Sequence, residues 1–283
     1  MSFAATTAPT TPAQALAQSR DLGLESLDVQ LLLLHAMGRE SDARAWLLAH
    51  AEDELPLPAR AAFLALRSRR LAGEPLAYLV GQKEFFGLNL SVDRRVLIPR
   101  PDTETLVEWA LEVLRDRPGA TVLDLGTGSG AIALALKHQR RDLNLVALDA
   151  SQDALALAQQ NAAKFNLQVA FIRGRWLQAV SGRFDLILSN PPYVRAADPH
   201  LAELAWEPLQ ALSAGPDGLQ DLREIVATAP ACLRPGSWLL LEHGHDQAAQ
   251  VRAMLDSAGF QRVTSRRDLA GLERCSGGCQ PKT

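Results

Sequence analysis

The sequence has few cysteines, and this excludes a scaffold held together by disulfide bonds. Among its 283 residues only Cys232, Cys275 and Cys279 are cysteines, and no two of them form a C-x-x-C pair. Such usage is typical of reducing compartments, so the sequence predicts a cytoplasmic protein. None of the three has the neighbours of a nucleophile, and we expect Cys275 and Cys279 to be packing residues or loose thiols near a frayed chain end.

Long apolar runs are also absent. The longest uninterrupted run of branched aliphatic residues is Leu31–Leu34, whereas a membrane-spanning helix needs about 20 apolar residues. Residues 1–13 are rich in Ala, Thr and Pro and show neither a basic start nor an apolar centre. We therefore expect a disordered tail rather than a signal peptide, and no membrane partner.

Positive charge is not in excess. The chain has 29 Lys and Arg residues against 32 Asp and Glu residues, for a net charge of -3, which argues against non-specific binding to DNA or RNA. The 47% of hydrophobic residues are enough for a full core,. The length predicts two units, or one large unit with an appendage.

The N-terminal part of the chain has the pattern of helices. Residues 1–75 predict a small helical bundle, because apolar residues such as Val29 and Leu32 recur at helical spacing and no strand pattern appears,. The segment Leu88–Val92 then alternates in the way of a short β-hairpin. We therefore interpret residues 76–100 as a hairpin linker.

Residues 101–283 alternate between strand-like and helix-like segments, which predicts an α/β fold with a parallel sheet and helices on both faces. The strand-like runs are Thr121–Leu125, Leu143–Leu148, Gln168–Ile172, Phe184–Ser189, Ser237–Glu242 and Phe260–Arg266. In such sheets the ligand lies at the carboxyl ends of the strands.

A glycine-rich segment joins the first strand to the helix after it. Its sequence is Asp124-Leu125-Gly126-Thr127-Gly128-Ser129-Gly130, and Asp149 ends the second strand. Glycines let the backbone approach a ligand, the next helix offers free N–H groups, and an acid at Asp149 suits a ribose diol. The spacing fits the dinucleotide fingerprint in its G/A form, Gly126-x-Gly128-x-x-Ala131, and also motif I of class I methyltransferases. A structural turn without a ligand is the third possibility.

The tetrapeptide Asn190-Pro191-Pro192-Tyr193 follows the fourth predicted strand and favours methyl transfer. A carboxamide or exocyclic amino nitrogen is a poor nucleophile because its lone pair is delocalised, so it must be held in line with the methyl group. The side-chain carbonyl of Asn190 and the backbone carbonyl of Pro191 can each accept one N–H of such a nitrogen. The prolines stiffen the loop, and Tyr193 can stack on a flat amide or base. The alternative is a proline-rich turn without catalytic function.

Further segments carry a family resemblance together with these two motifs. They are Gly73-Glu74-Pro75, Glu84-Phe85, Leu97-Ile98-Pro99-Arg100-Pro101-Asp102-Thr103-Glu104, Glu207-Pro208 and Leu241-Glu242-His243-Gly244. From about residue 26 to residue 275, the chain resembles the protein-(glutamine-N5) methyltransferases that modify peptide chain release factors. The resemblance implies an all-α N-terminal domain at 1–75, a β-hairpin linker at 76–100 and a Rossmann-like class I methyltransferase domain at 101–283.

The resemblance also implies an activity and a set of site residues. The reaction is transfer of a methyl group from S-adenosylmethionine to the side-chain nitrogen N5 of the glutamine in the Gly-Gly-Gln motif of class I release factors, with S-adenosylhomocysteine as product and without a metal. The helical domain is expected to bind the release factor, and the enzyme to act as a monomer without DNA. The predicted catalytic residues are Asn190, Pro191 and Tyr193. The predicted cofactor contacts are Gly126, Thr127, Gly128, Ser129, Gly130, Asp149, Trp176 and Asn190. The predicted substrate contacts are Asn190, Pro191, Pro192 and Tyr193.

One position departs from the family pattern. Relatives usually carry an acid just before the aromatic residue that follows the third strand, where it suits the adenine amino group, whereas this chain has Gly174-Arg175-Trp176. A guanidinium cannot accept that hydrogen bond, although Trp176 remains to pack on adenine. We therefore expect the substitution Arg175→Asp to tighten cofactor binding.

Three alternatives remain open. The first is the related glutamine methyltransferase of a ribosomal protein, which shares N-P-P-Y but differs in its N-terminal region. The second is a DNA or RNA amino-methyltransferase, against which the charge argues. The third is a nucleotide-binding module without catalysis, which an intact N-P-P-Y disfavours. His243 and His245 form an H-x-H pair, but no third ligand has matching spacing, so we favour a structural role for them.

Overall fold

The computed structural model describes residues 8–282, which form two compact units divided after Gly81. The predicted disordered tail, residues 1–13, lies partly outside the described residues. Its last part is ordered, because the Thr11 side chain accepts a hydrogen bond from the backbone N–H of Gln14 at 3.3 Å and caps the first helix. That helix begins at Pro12, so the prediction of disorder up to residue 13 extends too far.

The first unit is built of helices. They are α1 (Pro12–Asp21), α2 (Ser26–Ala36), α3 (Arg44–Ala49), α4 (Leu57–Leu71) and α5 (Leu76–Val80). Leu32, Leu33 and Phe63 have no exposed surface and lie in its core, because the apolar stripe of a helix is buried against its neighbours. Pro75 precedes α5 directly. Residues 76–80 therefore belong to the helical unit and not to a hairpin linker.

The second unit opens with a hairpin that is shorter than the predicted linker at 76–100. Strand β1 (Gln82–Phe85) pairs antiparallel with β2 (Leu88–Ser91). The two residues between them, Phe86 and Gly87, have φ of 49° and 79°. Positive φ at both central positions is typical of a type I′ turn, whose twist matches that of the paired strands.

The rest of the second unit is a seven-stranded sheet with helices on both faces, which confirms the predicted α/β fold. Its strands are β3 (Thr121–Leu125), β4 (Asn144–Asp149), β5 (Ala170–Arg173), β6 (Phe184–Ser189), β7 (Leu233–Glu242), β8 (Gln261–Arg267) and β9 (Glu273–Cys279). Their order across the sheet is β5-β4-β3-β6-β7-β9-β8, and β3 to β7 are parallel. The helices are α6 (Glu104–Val113), α7 (Ala131–Gln139), α8 (Gln152–Lys164), α9 (Gln220–Cys232) and α10 (Ala248–Ser257).

Side chains of the central strands alternate between two cores, as the two-residue period of a strand requires. Along β3, Val122 lies in the core covered by α6 and α7, whereas Leu123 lies in the core covered by α9 and α10. Leu240 and Leu241 of β7 divide in the same way. Burial on both faces explains why these strands are continuous apolar runs in the sequence.

Strand β9 was not predicted from the sequence patterns. It lies between β7 and β8 and is antiparallel to both. A Cβ atom on Gly277 would lie 2.5 Å from a side-chain methyl of Leu240 and 2.7 Å from the carbonyl oxygen of Leu239. Close packing therefore excludes a side chain at this position, and the β-branched or aromatic residue that usually indicates a strand is missing. Cys275 and Cys279 are buried within this strand. The expectation of a frayed chain end is therefore wrong for them, whereas a packing role is confirmed.

The helices of the described residues are short. The longest, α4, has 15 residues, whereas a membrane span needs about 20 apolar ones. No helix within 8–282 is long and apolar enough to cross a membrane.

Candidate active site

Three neighbouring strands carry predicted site residues at their carboxyl ends. β3 ends at Leu125 before the glycine segment, β4 ends at Asp149, and β6 ends at Ser189 before Asn190. Because β4, β3 and β6 are adjacent in the sheet, the loops that follow them meet at one edge. The Ser189 hydroxyl donates to the carbonyl oxygen of Leu125 at 2.7 Å, which ties the ends of β6 and β3 together.

A cavity of about 410 Å³ opens at this edge of the sheet. The predicted site residues on its wall are Gly126, Gly128, Asp149, Trp176, Asn190 and Pro192. The other predicted residues, which are not part of the lining, are Thr127, Ser129, Gly130, Pro191 and Tyr193. The fold thus gathers the glycine segment, the acid of β4 and the N-P-P-Y segment around one space.

The glycine segment takes backbone conformations that other residues avoid. Gly126, Gly128 and Gly130 have φ of 70°, 55° and 85°, a region that only glycine enters without steric cost. The N–H of Gly128 donates to Oδ2 of Asp149 at 2.9 Å. A Cβ atom on Gly126 would lie 3.4 Å from the Trp176 ring, so a larger side chain there would fill the space between the loop and the indole.

Thr127 and Ser129 support the loop from behind. The Thr127 hydroxyl donates to Oδ2 of Asp124 at 2.7 Å, and the same oxygen accepts from the N–H of Ala133 at 3.3 Å. The carbonyl oxygen of Ser129 accepts from the side chain of Asn161 at 2.9 Å. Burial raises the pKa of Asp124 to about 7. Asp124, to which the motif spacing alone assigns no function, holds the loop against the start of α7.

Asp149 presents a carboxylate at the cavity wall. Its Oδ2 accepts from the N–H of Gly128 and its Oδ1 from the N–H of Ser151, each at 2.9 Å. Burial raises the pKa of Asp149, and these backbone hydrogen bonds oppose that shift. Since a carboxylate offers about four lone-pair sites, Asp149 can still accept hydrogen bonds from a diol in the cavity.

Trp176 contributes a flat apolar wall. It begins a short 3-10 turn after β5 with φ of 45°, a conformation that costs free energy for a bulky residue and that persists where the surroundings enforce it. The indole N–H donates to Oδ1 of Asp221 at 3.0 Å. The ring is therefore held from α9 at the edge of the cavity, where it can pack on a planar heterocycle.

Arg175 is bound to carboxylates of α9. Its Nη2 lies 3.1 Å from Oδ1 of Asp221 and 2.7 Å from Oε2 of Glu224. Asp221 lines the cavity, so a carboxylate does stand at this wall, contributed by α9 instead of by position 175. Burial raises the pKa of Asp221, and the hydrogen bond from Trp176 opposes the shift.

The N-P-P-Y segment leaves β6 and is held from two directions. The side-chain nitrogen of Asn190 donates to the hydroxyl oxygen of Thr103 at 3.2 Å, so the amide oxygen is the group that Asn190 has available for a ligand. The Tyr193 hydroxyl donates to Oε1 of Glu242 at 3.3 Å. Tyr193 is partly buried against the core covered by α9 and α10, and its predicted stacking on a substrate stays a prediction.

Glu207 connects two segments that were singled out in the sequence. Its Oε2 accepts from the N–H of Ile98 at 3.0 Å, and its Oε1 lies 2.5 Å from Nη2 of Arg100. The adjacent residues Leu97 and Pro208 line the cavity. The I-P-R-P and E-P segments therefore form a common wall.

His243 has hydrogen-bond partners at both ring nitrogens. Its Nε2 lies 2.7 Å from the hydroxyl oxygen of Ser276, and its Nδ1 lies 2.9 Å from the carbonyl oxygen of Gly244. Burial lowers its pKa. Among residues 8–282 no group of three or more His, Cys, Asp or Glu side chains is placed to hold a metal ion.

Comparison with known proteins matches the two units separately and the chain as a whole. The family model described as PrmC N-terminal domain matches residues 12–81, and that described as Methyltransferase small domain matches residues 103–211. The release factor glutamine methyltransferase of Burkholderia pseudomallei is 47% identical over 98% of this chain and 99% of its own length. The chain belongs to the release factor glutamine methyltransferase family. The corresponding protein of Bordetella pertussis is 48% identical over 91% of this chain and 96% of its own.

One solved structure has a fold similar to that of this family member. A methyltransferase from Pyrococcus furiosus superimposes with a TM-score of 0.53 at 19% identity, covering 76% of this chain and 98% of that one. Similarity at this level of identity shows the fold alone. The family resemblance drawn from the sequence motifs is confirmed by the relatives that match nearly the full length.

Three polar residues lie next to the candidate active site of this family member but were not predicted as site residues. Thr103 and Glu242 stand in segments that carry the family resemblance, so a signal for them existed. Asp221 lies in the first turn of α9 without a motif around it. Its place on the cavity wall and its contacts with Trp176 and Arg175 identify it.

Proposed function

We propose that this protein transfers a methyl group from S-adenosylmethionine to N5 of the glutamine in the Gly-Gly-Gln loop of class I release factors. The observation that carries the proposal is the meeting of the glycine segment, Asp149 and Asn190 around one cavity. The names of the relatives that match nearly the whole chain support the choice of substrate.

The residues present fit S-adenosylmethionine. Asp149 is an acceptor for the ribose hydroxyls, Trp176 is a wall for adenine, and the glycines leave room beside the indole. Asp221 adds a hydrogen-bond acceptor at the same wall. It substitutes for the acid that relatives usually carry at the position of Arg175. When bound, S-adenosylmethionine supplies a methyl group activated by the positive sulfur.

The chain itself contributes the placement of the attacking nitrogen. The side-chain oxygen of Asn190 and the backbone oxygen of Pro191 accept the two N–H groups of the glutamine amide, so the nitrogen is held and positive charge on it is stabilised as it attacks. The prolines keep φ of this loop fixed. The nitrogen loses its proton to water after methylation, so this chain does not need to supply a strong base or a metal.

The helical unit is the part that we assign to recognition of the release factor body. Support comes from the PrmC N-terminal domain model, which matches residues 12–81. A protein substrate is also consistent with the net charge of -3, because nucleic-acid substrates favour a basic surface. We place the reaction in the cytoplasm, where release factors act, and propose a monomer as the active form.

The test is methylation of a purified class I release factor by the full-length protein with isotopically labelled S-adenosylmethionine. We expect label on the glutamine of the Gly-Gly-Gln peptide, located by mass spectrometry. A release factor in which that glutamine is replaced by alanine is the matched substrate control and should stay unlabelled. Absence of label from that glutamine in the unmodified release factor would refute the proposed substrate.

A further inference from the structure

The side chain of Gln247 joins three loops of the second unit. Its Oε1 accepts from the backbone N–H of Gly244 at 2.8 Å. Its Nε2 donates to the carbonyl oxygen of Tyr193 at 3.0 Å and to that of Gly218 at 3.3 Å. The residue is 3% exposed, so these bonds are shielded from competing water. Gln247 thus links the end of the N-P-P-Y segment to the loop before α9 and to the loop before α10.

A carboxamide is the group that these three partners require. One backbone N–H faces its oxygen, and two carbonyl groups face its nitrogen, which carries two protons. An ionised carboxylate of the same size could accept from Gly244 but would have no proton to donate. An apolar side chain would leave all three backbone groups without this partner, which is costly in a buried place. The root of the side chain is fixed as well, because the Gln247 N–H donates to the carbonyl oxygen of Gly244 at 2.9 Å where α10 begins.

Gly218 allows the two carbonyl groups to approach the same nitrogen. It has φ of 73°, and a Cβ atom on it would overlap the Tyr193 carbonyl oxygen and lie 2.9 Å from Nε2 of Gln247. A side chain at position 218 would therefore displace the bond between Gln247 and Tyr193. The same loop leads into α9, whose first residues Gln220 and Asp221 line the cavity.

The bond to Tyr193 fixes the far end of the N-P-P-Y segment. The peptide group between Tyr193 and Val194 is held on both sides, because its carbonyl oxygen accepts from Gln247 and its N–H donates to the carbonyl oxygen of Leu212 at 2.9 Å. At the near end, the Ser189 hydroxyl ties the segment to β3. Between the two ends the proline rings fix φ. Rotation of the peptide planes is the freedom that remains, and anchoring both ends restricts it.

We propose that Gln247 is a positioning residue that keeps the Asn190 side chain and the Pro191 carbonyl turned towards the same substrate nitrogen by holding the carbonyl of Tyr193. The catalytic consequence rests on the proposed function, whereas the anchoring of the loop does not. Within residues 8–282, Gln247 is not part of the cavity lining, so it acts through the loop. Without it the peptide planes can turn, and a displacement of about 1 Å in a reacting group can cost roughly 100-fold in rate.

The first experiment observes the anchor without a substrate. The chain has two tyrosines, Tyr78 and Tyr193, so full-length protein labelled with tyrosine that carries 13C at its carbonyl carbon gives two NMR signals, and Tyr193→Phe identifies one of them by its loss. A carbonyl carbon resonates further downfield when its oxygen accepts a hydrogen bond. We therefore expect the Tyr193 signal to move upfield in Gln247→Met, while that of Tyr78, in α5, stays in place. Gln250→Met, at an exposed glutamine of the same helix, is the matched control and should move neither signal.

The second experiment measures turnover with the release factor per folded molecule. Gln247→Met should lower kcat roughly 10- to 100-fold, while the dissociation constant of S-adenosylmethionine, measured by calorimetry, stays near the wild-type value. Gly218→Ala disturbs the same bond from the other side and should act in the same direction. The double variant should be no worse than the more severe single one, because both remove the same link. A residue with only a structural role would lower the melting temperature and leave the kcat of the folded protein unchanged.

Gln247→Glu provides a further test should Gln247→Met fail to fold. It keeps an acceptor for the N–H of Gly244, but as a carboxylate it turns negative charge towards the carbonyl oxygens of Tyr193 and Gly218. We expect the same loss of kcat and, again, little change in affinity for S-adenosylmethionine. Gln250→Glu is the matched control and should turn over as wild type.

The outcomes separate the two proposals. A Tyr193 signal that does not respond to Gln247→Met, or unchanged kcat in folded Gln247→Met or Gln247→Glu protein, would overturn the positioning role. Failure of all the variants at Gln247 and Gly218 to fold would overturn it as well, in favour of a purely structural role. A wild-type protein whose Tyr193 signal depends on Gln247 but that leaves the release factor unmethylated would sink the proposed function and leave the anchoring of the loop standing.

Discussion

The side-chain amide of Asn190 is held by a residue that is distant in the sequence. Its amide nitrogen is bound by Thr103, which precedes it by 87 positions, and it follows a strand whose end is tied to β3 by Ser189. Because the amide nitrogen is hydrogen-bonded to Thr103, the amide oxygen is the atom that remains to accept a hydrogen bond. This is the local reason why one asparagine can hold a substrate nitrogen.

Replacement of Asn190 by alanine tests that acceptor. We expect Asn190→Ala to lower kcat about 100-fold or more, by analogy with the loss of one hydrogen-bonding group from a transition-state site, while the dissociation constant of S-adenosylmethionine changes little. Turnover assays and calorimetry measure the two quantities. Asn144→Ala, at an exposed asparagine, is the matched control with wild-type turnover. Unchanged kcat in Asn190→Ala would refute the assigned role.

Arg175 leads to a revised prediction. From the sequence we expected Arg175→Asp to tighten cofactor binding, but the structure pairs Arg175 with Asp221 and Glu224. An aspartate there would repel both carboxylates and disturb the hydrogen bond that Asp221 accepts from Trp176. We now expect weaker binding of S-adenosylmethionine, by up to about fivefold, since exposed ion pairs contribute up to about 1 kcal/mol.

Calorimetry with S-adenosylmethionine and S-adenosylhomocysteine measures this effect. Arg234→Asp is the matched control, because Arg234 also pairs with a carboxylate, Asp185, and is 45% exposed where Arg175 is 49% exposed. Arg234 is not among the residues that line the cavity. Tighter binding by Arg175→Asp would restore the expectation drawn from the sequence alone.

Among the elements, β9 shows how packing can select against the residues that usually mark a strand. It pairs with β7 and β8 along most of its length, and its inner positions lie against Leu240, Trp109 and Phe260. Glycine is preferred there because no volume remains for a side chain, although glycine weakens an isolated strand. A sequence pattern that relies on apolar alternation has no way to find such a strand.

A side chain at Gly277 tests this account. Gly277→Val would place its Cβ atom 2.5 Å from a methyl of Leu240 and 2.7 Å from the Leu239 carbonyl oxygen. Overpacking of a core costs typically about 1–3 kcal/mol, so we expect a clear fall in melting temperature. Thr264→Val, at the exposed partner position of Gly277 on β8, should change stability by less than about 0.5 kcal/mol,. Equal melting temperatures would show that β9 is looser than described.

At the scale of the whole molecule, two buried carboxyl groups link stability to pH. Burial raises the pKa of Asp124 and of Glu242 to about 7, whereas in an unfolded chain such groups titrate near 4. The folded protein therefore binds more protons between about pH 4 and pH 7. The free energy of unfolding consequently falls as the pH rises through this range.

We expect the free energy of unfolding to increase when the pH is lowered from about 8 to about 6.5, by at most ~1.4 kcal/mol per pH unit for each proton taken up. Urea unfolding at both pH values measures it. Below the ordinary histidine value of 6.5, His243 acts in the opposite direction because burial lowers its pKa. The comparison therefore stops there.

Two variants assign the effect to the buried acids. Glu242→Gln should show a smaller increase, since one of the two titrating groups is gone. Asp217→Asn should behave as wild type, because the hydrogen bond from Arg223 holds the pKa of Asp217 at about 2, outside the window. A wild-type protein that becomes less stable over the same change would contradict the sign of the prediction.

Local patterns predicted the parts of this protein whose signals repeat over short stretches. Helical spacing indicated the N-terminal helices, and apolar runs bounded by turns indicated β3 and β6 at the limits observed. The glycine segment, Asp149 and the N-P-P-Y segment were recognised because their chemistry depends on neighbouring residues and on the carboxyl ends of strands. The limits of the hairpin and the strand β9 were not predicted, because pairing and packing set them.

Tertiary structure decided which of these residues meet. Asn190 reaches Thr103 across 87 positions of the chain, and Tyr193 reaches Glu242 across 49 positions because β6 lies beside β7 in the sheet. Asp221 reaches Trp176 across 45 positions of the chain. Strand order and helix packing arise from the burial of whole apolar faces, a property of the folded chain that no short stretch of sequence contains.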